Sequence, residues 1–276
     1  MNPLLKVEDL RLRYQGRGFR PKTTEVLRGV SLEIAAGETL GLVGESGSGK
    51  TTLGRAILGL AKPTGGTINF DGKDITRLDT AGRRGLAKDV QVIFQDPYTS
   101  LNPTLRIDDI LSEPLIGQGV NLTEARASVS ELLARVGLPA DAANRYPREF
   151  SGGQRQRVAI ARALALKPRL VICDEPVSAL DLTTQALVLD LLIELQRSTG
   201  VAYLFITHDL SVVRHISHRV AVLYKGEIVE TGPVGEVTDN PQNDYTRRLI
   251  LAAPTADPDR QRERREARRR LFAETR

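Results

Sequence analysis

The sequence predicts an α/β fold: a mainly parallel sheet at the core, an antiparallel β part on its N-terminal side, and an α-helical lobe inserted part-way along the chain. Three observations predict it. Short apolar runs recur between stretches of helical period, and buried strands that alternate with helices build parallel sheets. Residues 4–14 and 26–34, by contrast, alternate apolar with polar side chains. Residues 105–167 hold three helical patterns in succession with no strand between them. Composition agrees with a packed body: 276 residues at 41% hydrophobic and 26% charged exclude a mostly disordered chain and a fibrous repeat. No period of 20–50 residues is visible, which excludes solenoids and propellers.

Taken in order, LLKVEDLRLRY (residues 4–14) and VLRGVSLEI (residues 26–34) carry the period-2 pattern of half-buried strands and are expected to pair antiparallel. ETLGLVG then reads as a short buried strand that runs into the glycine-rich ESGSGK and on into an apolar-periodic helix, TTLGRAILGL. Further buried strands are expected at Val90–Phe94, Leu170–Cys173, Ala202–Ile206 and Val220–Leu223. In the lobe, LRIDDILSEPLIGQG, NLTEARASVSELLARVG and GGQRQRVAIARALALKP read as helices. Asn121 or Thr123 is expected to cap the second of these and Gly137 to stop it, with Pro139 just beyond.

Several classes are excluded or set aside by the same reading. Every strongly apolar stretch, such as Val201–Ile206 or Leu187–Leu195, falls far short of the roughly 20 residues a membrane-spanning helix needs. The opening MNPLLKVEDL lacks a basic lead and an apolar run, so export is not expected. A single cysteine, Cys173, forms no intrachain disulfide and points to the cytoplasm; on its strand it reads as a small core residue. Lys plus Arg exceed Asp plus Glu by 39 to 34, but residues 257–276 alone hold eight arginines against five acids. The body is therefore nearly neutral, and aromatics make up only 4%, so no nucleic-acid partner is expected. The tail reads as a solvated helix or a disordered end.

The chemistry sits in two places. GESGSGKT, from Gly44 to Thr51, matches the phosphate-loop pattern G-x-x-x-x-G-K-[ST] and lies between a buried strand and a helix, where the pattern has physical meaning. Backbone N–H groups from Ser46 through Gly47, Ser48, Gly49, Lys50, Thr51 and Thr52 can point into one concavity at a helix N-terminus, because glycines allow a close approach. Lys50 then reaches the β and γ phosphates, Thr51 offers a hydroxyl to Mg²⁺, and Thr52 offers another donor. The second place is LVICDE, an apolar strand that ends in paired acids. Asp174 is placed to hold Mg²⁺ through its water shell and Glu175 to orient or deprotonate the attacking water. The bland alternatives are an ordinary glycine-rich turn and a helix cap; found together, the two patterns favour a P-loop ATPase core. His215 and His218, one turn apart, could mimic a metal pair, but surface or cap roles are the simpler reading.

FSGGQRQR at Phe150–Arg157, beside GESGSGKTT and LVICDEP, resembles the signature set of ABC transporter ATPases over residues 4 to about 235, with every piece in the family's order. The resemblance implies ATP and Mg²⁺ as ligands and an ABC ATPase domain over residues 1–235. Gln95 in VIFQD looks like the Q-loop glutamine, near Mg²⁺ and the reaction, and Ser178, Ala179, Leu180 and Asp181 look like the D-loop. His208 in FITHD looks like the switch histidine. Tyr14 looks like the aromatic that stacks on adenine, although core or edge packing would also account for it. Ser151, Gly152, Gly153 and Gln154 precede or open a helix, which supplies a second anion-binding N-terminus. The family's arrangement gives these residues a role across a head-to-tail dimer, over the γ-phosphate held by the partner.

FQDPYTSLNP at Phe94–Pro103, EPL at Glu113–Leu115 and NPQNDYTRRLILAAP at Asn240–Pro254 are similar to the peptide and nickel importer group. Asp244 stands where that group usually has proline. Residues 236–256 are accordingly expected to form an importer-type C-terminal segment, with 257–276 a charged tail. Some members of the group carry a cysteine cluster for an iron–sulfur centre; one cysteine cannot supply it, so no iron–sulfur cluster is expected. The resemblance thus implies an ATP-hydrolysing subunit, peripheral on the cytoplasmic face of the cell membrane, that powers uptake of di- or oligopeptides. Its implied partners are two transmembrane permease subunits, a second ABC ATPase, identical or related, and indirectly an extracellular solute-binding protein. Nickel, glutathione or another small solute is the alternative cargo. A non-transport ABC ATPase in nucleic-acid repair or a complex scaffold is the alternative of another class, set against the lack of an inserted coiled coil or zinc module and of a tandem second copy. A regulatory subunit that binds ATP without cleaving it is disfavoured by Glu175 and His208.

Overall fold

The computed structural model describes residues 2–15 and 23–252. The chain opens with β1 (Leu5–Gln15), β2 (Thr23–Ile34) and β3 (Thr39–Val43), followed by α1 (Lys50–Ile57). Next come β4 (Gly65–Phe70), β5 (Lys73–Asp74), α2 (Thr80–Leu86) and β6 (Val90–Ile93). The lobe holds α3 (Pro97–Ser100), α4 (Ile107–Gly117), α5 (Leu122–Arg135) and α6 (Gly152–Leu164), with two 3₁₀ turns between the last two. The chain then returns through β7 (Leu170–Asp174), α7 (Leu182–Thr199), β8 (Ala202–Ile206), α8 (Leu210–Ile216), β9 (Arg219–Tyr224) and β10 (Glu227–Pro233). Helices α9 (Val234–Asp239) and α10 (Asp244–Ala252) follow.

Two sheets result. One has the order β2-β1-β4-β5 and is antiparallel throughout; the other has the order β10-β9-β3-β8-β7-β6 and is parallel except for its β9–β10 hairpin. The expected architecture is therefore present. Strands β3 and β8 are buried at every residue, as continuous apolar runs covered on both faces should be. Along β1, Leu5, Val7, Leu10 and Leu12 are buried; they meet Leu27 and Ile34 of β2, Leu40 and Leu42 of β3, and Leu53 and Ile57 of α1 in a core between the two sheets. A second core lies under the lobe, where Ile107, Leu111, Leu133, Val158 and Ile160 pack with Val171, Cys173 and Phe205. Cys173 is a core residue, and burial pushes its thiol far above the ordinary range.

Local chemistry explains most boundaries. Asn121, not Thr123, caps α5, its side chain accepting the Glu124 N–H at 3.0 Å, and Gly137 ends that helical region at φ +68°. The helix expected to run through TTLGRAILGL stops at Ile57, and Gly59 takes φ +75° just beyond it. The β9–β10 hairpin turns on Lys225 and Gly226, both at positive φ, the geometry of a tight two-residue turn. Beyond β10 the chain folds back: Val237 and Tyr245 pack with Val43, Val220 and Val222 in a third, smaller core. Among the described residues no helix is long and apolar enough to cross a membrane. The tail at 257–276 lies outside the described residues.

Candidate functional site

The loop from Gly44 to Gly49 joins the end of β3 to α1, so it emerges at the C-terminal edge of the parallel sheet, where open α/β sheets bind ligands. Glycine is required at Gly44, where a Cβ would sit 2.1 Å from the Leu223 carbonyl oxygen. It is also required at Gly49, which has φ +114° and directly precedes α1. No side chain caps α1, so its first N–H groups stay open toward the loop's concavity. Lys50 is buried and its ammonium donates to the carbonyls of Gly44 at 2.7 Å and Glu45 at 2.9 Å, which aims the side chain back along the loop. Burial lowers the Lys50 pKa, opposed by the charges of Glu175, Asp174 and Glu45.

The carboxylates come from the end of β7. Thr51 Oγ1 donates to Asp174 Oδ1 at 3.0 Å. Burial raises the Asp174 pKa, the Thr51 hydrogen bond pulls it back, and the neighbouring Glu175 charge adds to the rise. A hydroxyl and a carboxylate held this close are the hard oxygen donors that Mg²⁺ takes, so the pair fits that ion. Glu175 follows at φ +51°, a left-handed conformation that costs a non-glycine residue energy; its N–H is held by the Ile206 carbonyl of β8 at 2.9 Å. The turn aims its carboxylate at two partners. Gln95 Nε2 donates to Glu175 Oε2 at 3.3 Å, and His208 Nδ1 lies 3.2 Å from the same oxygen. Gln95 follows β6 and His208 follows β8, so three neighbouring strand ends, those of β6, β7 and β8, deliver one cluster.

Lys50, Thr51, Gln95, Glu175 and His208 line a cleft of about 640 Å³, within the usual range for a small-molecule site, while Asp174 reaches it only through its hydrogen bond to Thr51. Its walls include Ser46, Gly47, Gly49, Lys50, Thr51, Thr52, Gln95, Glu175 and His208. Val26 of β2 also lines it. Sequence reasoning missed Val26; the signal was its place in an alternating strand beside the buried Leu27, which puts it on the opposite face. Ser48 is buried in the loop, and its carbonyl accepts the Gly226 N–H at 3.0 Å.

Other predicted residues lie elsewhere. Tyr14 stands near the exposed end of β1, paired with Thr24, and is not among the described residues lining the cleft. Ser151, Gly152, Gly153 and Gln154 also lie outside that lining, at the start of α6. There Ser151 Oγ accepts the Gln154 N–H at 3.3 Å, and the Gln154 side chain accepts the Ser151 N–H at 3.0 Å, closing a reciprocal cap. Ser178 Oγ donates to the Glu175 carbonyl at 3.0 Å, which braces the strained turn. Ala179 and Leu180 lead from there to Asp181, which caps α7 by accepting the Thr184 N–H at 3.0 Å. His215 pairs with Asp190 at 2.9 Å, while His218 Nδ1 accepts the Thr39 N–H at 3.0 Å. Neither belongs to a metal-ligand cluster among the described residues.

A family model described as ABC transporter matches residues 27–178, more than half of the chain. The chain belongs to the ABC transporter family. Among its relatives, the glutathione import ATP-binding protein GsiA of Pectobacterium atrosepticum is 52% identical over 263 residues, 94% of this ABC chain and 42% of the relative. The oligopeptide transport ATP-binding protein OppD of Mycobacterium tuberculosis is 53% identical over 232 residues, 84% of this chain and 38% of the relative. The chain thus spans less than half the length of these relatives. Its fold is similar to that of an ATP-binding cassette solved as a dimer in a post-hydrolysis state with ADP and Pi: TM-score 0.74, 32% identity, 83% of this chain and 98% of that one. It is also similar to cbiO1 of Clostridium perfringens, part of the cbiONQ ABC transporter complex, with TM-score 0.76, 29% identity, and 91% and 96% coverage.

Proposed function

We propose that this ABC chain is the ATP-hydrolysing subunit of a membrane importer whose cargo is a short peptide. The observation that carries the reading is the cleft itself, lined by a buried lysine, by Thr51 with Asp174 hydrogen-bonded to it, and by a Glu175 carboxylate held by Gln95 and His208. Lys50 and the loop N–H groups bind and orient the ATP phosphates. Thr51 and Asp174 would hold Mg²⁺, with Gln95 beside them; when bound, the ion neutralises charge on the phosphates. Glu175 orients the attacking water and takes its proton, and His208 fixes that carboxylate and the water. Tyr14, at the edge of the β1–β2 pair, stacks on the adenine.

The start of α6 supplies the remainder of the site across a head-to-tail dimer. The Ser151 hydroxyl accepts from Gln154, which leaves its own proton free to donate to the γ-phosphate of ATP bound by a partner cassette. Gly152 and Gly153 bring backbone N–H groups to the same phosphate, Gln154 brings its side-chain NH2, since its own N–H is held by Ser151, and Ser178 to Asp181 form the facing loop. The dimeric state of the similar cassette with ADP and Pi supports this arrangement. In domain terms, residues 1–235 are the ATPase unit with the lobe at about 105–167, and 236–256 are the importer-type segment.

Both named relatives move peptides, since glutathione is itself a tripeptide, and they support a peptide cargo over nickel. Their names also support permease partners and a peripheral place on the cytoplasmic face of the membrane. An apolar groove of about 290 Å³ between Leu58, Leu60, Leu86, Val92 and Phe94 suits a short cytoplasmic helix of a permease; Leu60 and Phe94 are exposed in it, next to Gln95. Purification of the tagged chain from native membranes tests the reading. Two multi-spanning permeases, with a solute-binding protein retained through them, are the expected companions, and recovery with DNA-repair proteins instead would overturn it.

A further inference from the structure

The phosphate loop is gripped from outside the stretch that the family model matches. Tyr245, in the first turn of α10, is 5% exposed, and its ring stacks on Tyr224 with centroids 4.0 Å apart. Its hydroxyl oxygen accepts the backbone N–H of Glu45 at 3.0 Å. That N–H belongs to the peptide plane joining Gly44 to Glu45, and a trans peptide points its N–H and its carbonyl in opposite directions. The carbonyl of that same plane, on Gly44, accepts the Lys50 ammonium at 2.7 Å. One rigid amide is therefore suspended between the Tyr245 hydroxyl and Lys50 Nζ. Hydrogen bonds on both ends of an amide polarise it and strengthen one another.

Gly44 makes this suspension consequential. With φ +156° and no Cβ, its backbone has less resistance to rotation than any other residue would have, so the orientation of the amide must be set by its partners. From within the loop it has only Lys50, which must also serve the phosphates. Tyr245 supplies the fixed end, because α10 is anchored in the small core with Val43, Val220 and Val237. We propose that Tyr245 is a positioning residue of the phosphate loop: it fixes the Gly44–Glu45 amide and through it the reach of Lys50 toward nucleotide. The proposal rests on the reading of this loop as the seat of the ATP phosphates. It makes the C-terminal segment part of the nucleotide site.

Tyr245→Phe keeps the ring and its stack on Tyr224 and removes only the hydroxyl. In the full chain, the KM for MgATP and the Kd for MgADP by calorimetry should rise on the order of five- to tenfold, the range one lost hydrogen bond spans. The kcat at saturation should stay within about twofold, because the carboxylate cluster is untouched. Hydrogen exchange read by mass spectrometry should quicken in the peptide holding Glu45 while residues 234–252 keep their protection. An unchanged KM and Kd would overturn the proposal. So would loss of protection throughout 234–252, which would make Tyr245 a packing residue. Lys50→Ala, measured alongside, separates the levels: it should weaken MgADP binding more than Tyr245→Phe does, and unimpaired binding by it would overturn the loop reading and this proposal with it.

Discussion

Two helices of this chain begin at glycine-rich segments, and they begin differently. Helix α1 starts after Gly49 in the left-handed region with no side-chain cap, and its first side chain is a buried lysine turned back on the loop. Helix α6 starts with Ser151 and Gln154 in a closed reciprocal cap, and Ser151 is exposed. The first is a socket: open donors, a fixed positive charge, and two carboxylates delivered from the end of β7. The second is a plug whose N–H groups are already partly satisfied and whose spare donors face outward. A socket binds in isolation, whereas a plug contributes only when something is brought to it. A helix N-terminus thus becomes a binding site through what its cap leaves free, which is the physical basis for proposing that one start serves this chain's own ATP and the other a partner's.

The largest expected effect lies in the socket. Glu175→Gln keeps the volume and the left-handed turn but removes the proposed base, so hydrolysis should fall by about a hundredfold or more while MgATP binding persists. Measured in parallel by phosphate release and by equilibrium binding, near-normal turnover would take Glu175 off the catalytic list. The next effect is one of stability and concerns what holds the plug. Helix α6 reaches the segment after Gln95 through two arginines: Arg155 lies over the Tyr98 ring at 4.2 Å, and Arg162 donates to the Ser100 carbonyl at 2.6 Å. That segment divides in a way its sequence did not announce. Leu101 is 1% exposed within the lobe's core, whereas Tyr98 is 58% exposed. Leu101→Ala should therefore destabilise the isolated chain by roughly 2–5 kcal/mol, the range for a buried leucine, read from denaturant unfolding. The smallest effect on the isolated chain belongs to Tyr98→Ala, which should leave folding and basal ATPase nearly unchanged yet lower permease association and transport. Equal destabilisation by the two substitutions would erase the division between packing and docking.

The socket was legible because its chemistry is local. A strand, a glycine-rich loop and a helix follow one another without a break from Thr39 to Ile57, and an apolar run that ends in the paired acids Asp174 and Glu175 stands out in the sequence. The parallel strands were legible for a similar reason, since burial on both faces writes an unbroken apolar run. What stayed hidden depends on partners far away in sequence. Strand β4 pairs with β1 from Leu5↔Phe70 onward, and nothing in GGTINF states which strand it will join. Leu101 and Tyr98 are both bulky apolar-bodied residues in one turn-rich stretch, and only the packing of the lobe's core decides which is covered. Tyr245 reads as an aromatic in a polar segment, and its hydrogen bond to Glu45 crosses 200 residues. Val26 faces the cleft because the antiparallel sheet closes over the loop, a tertiary fact that an alternating pattern records only as a face.

The contrast between socket and plug is tested most directly by mixing two damaged chains. Lys50→Ala spoils the socket and Ser151→Arg spoils the plug, so each variant alone should be nearly inactive in ATP hydrolysis. In a mixed dimer one composite site carries both defects and the other carries neither. An equimolar mixture should regain phosphate release well above the sum of the two separate chains, with activity rising as concentration favours the dimer. A mixture that stays at that sum, or a dilute monomer of the unaltered chain that hydrolyses ATP at full rate, would contradict that contrast.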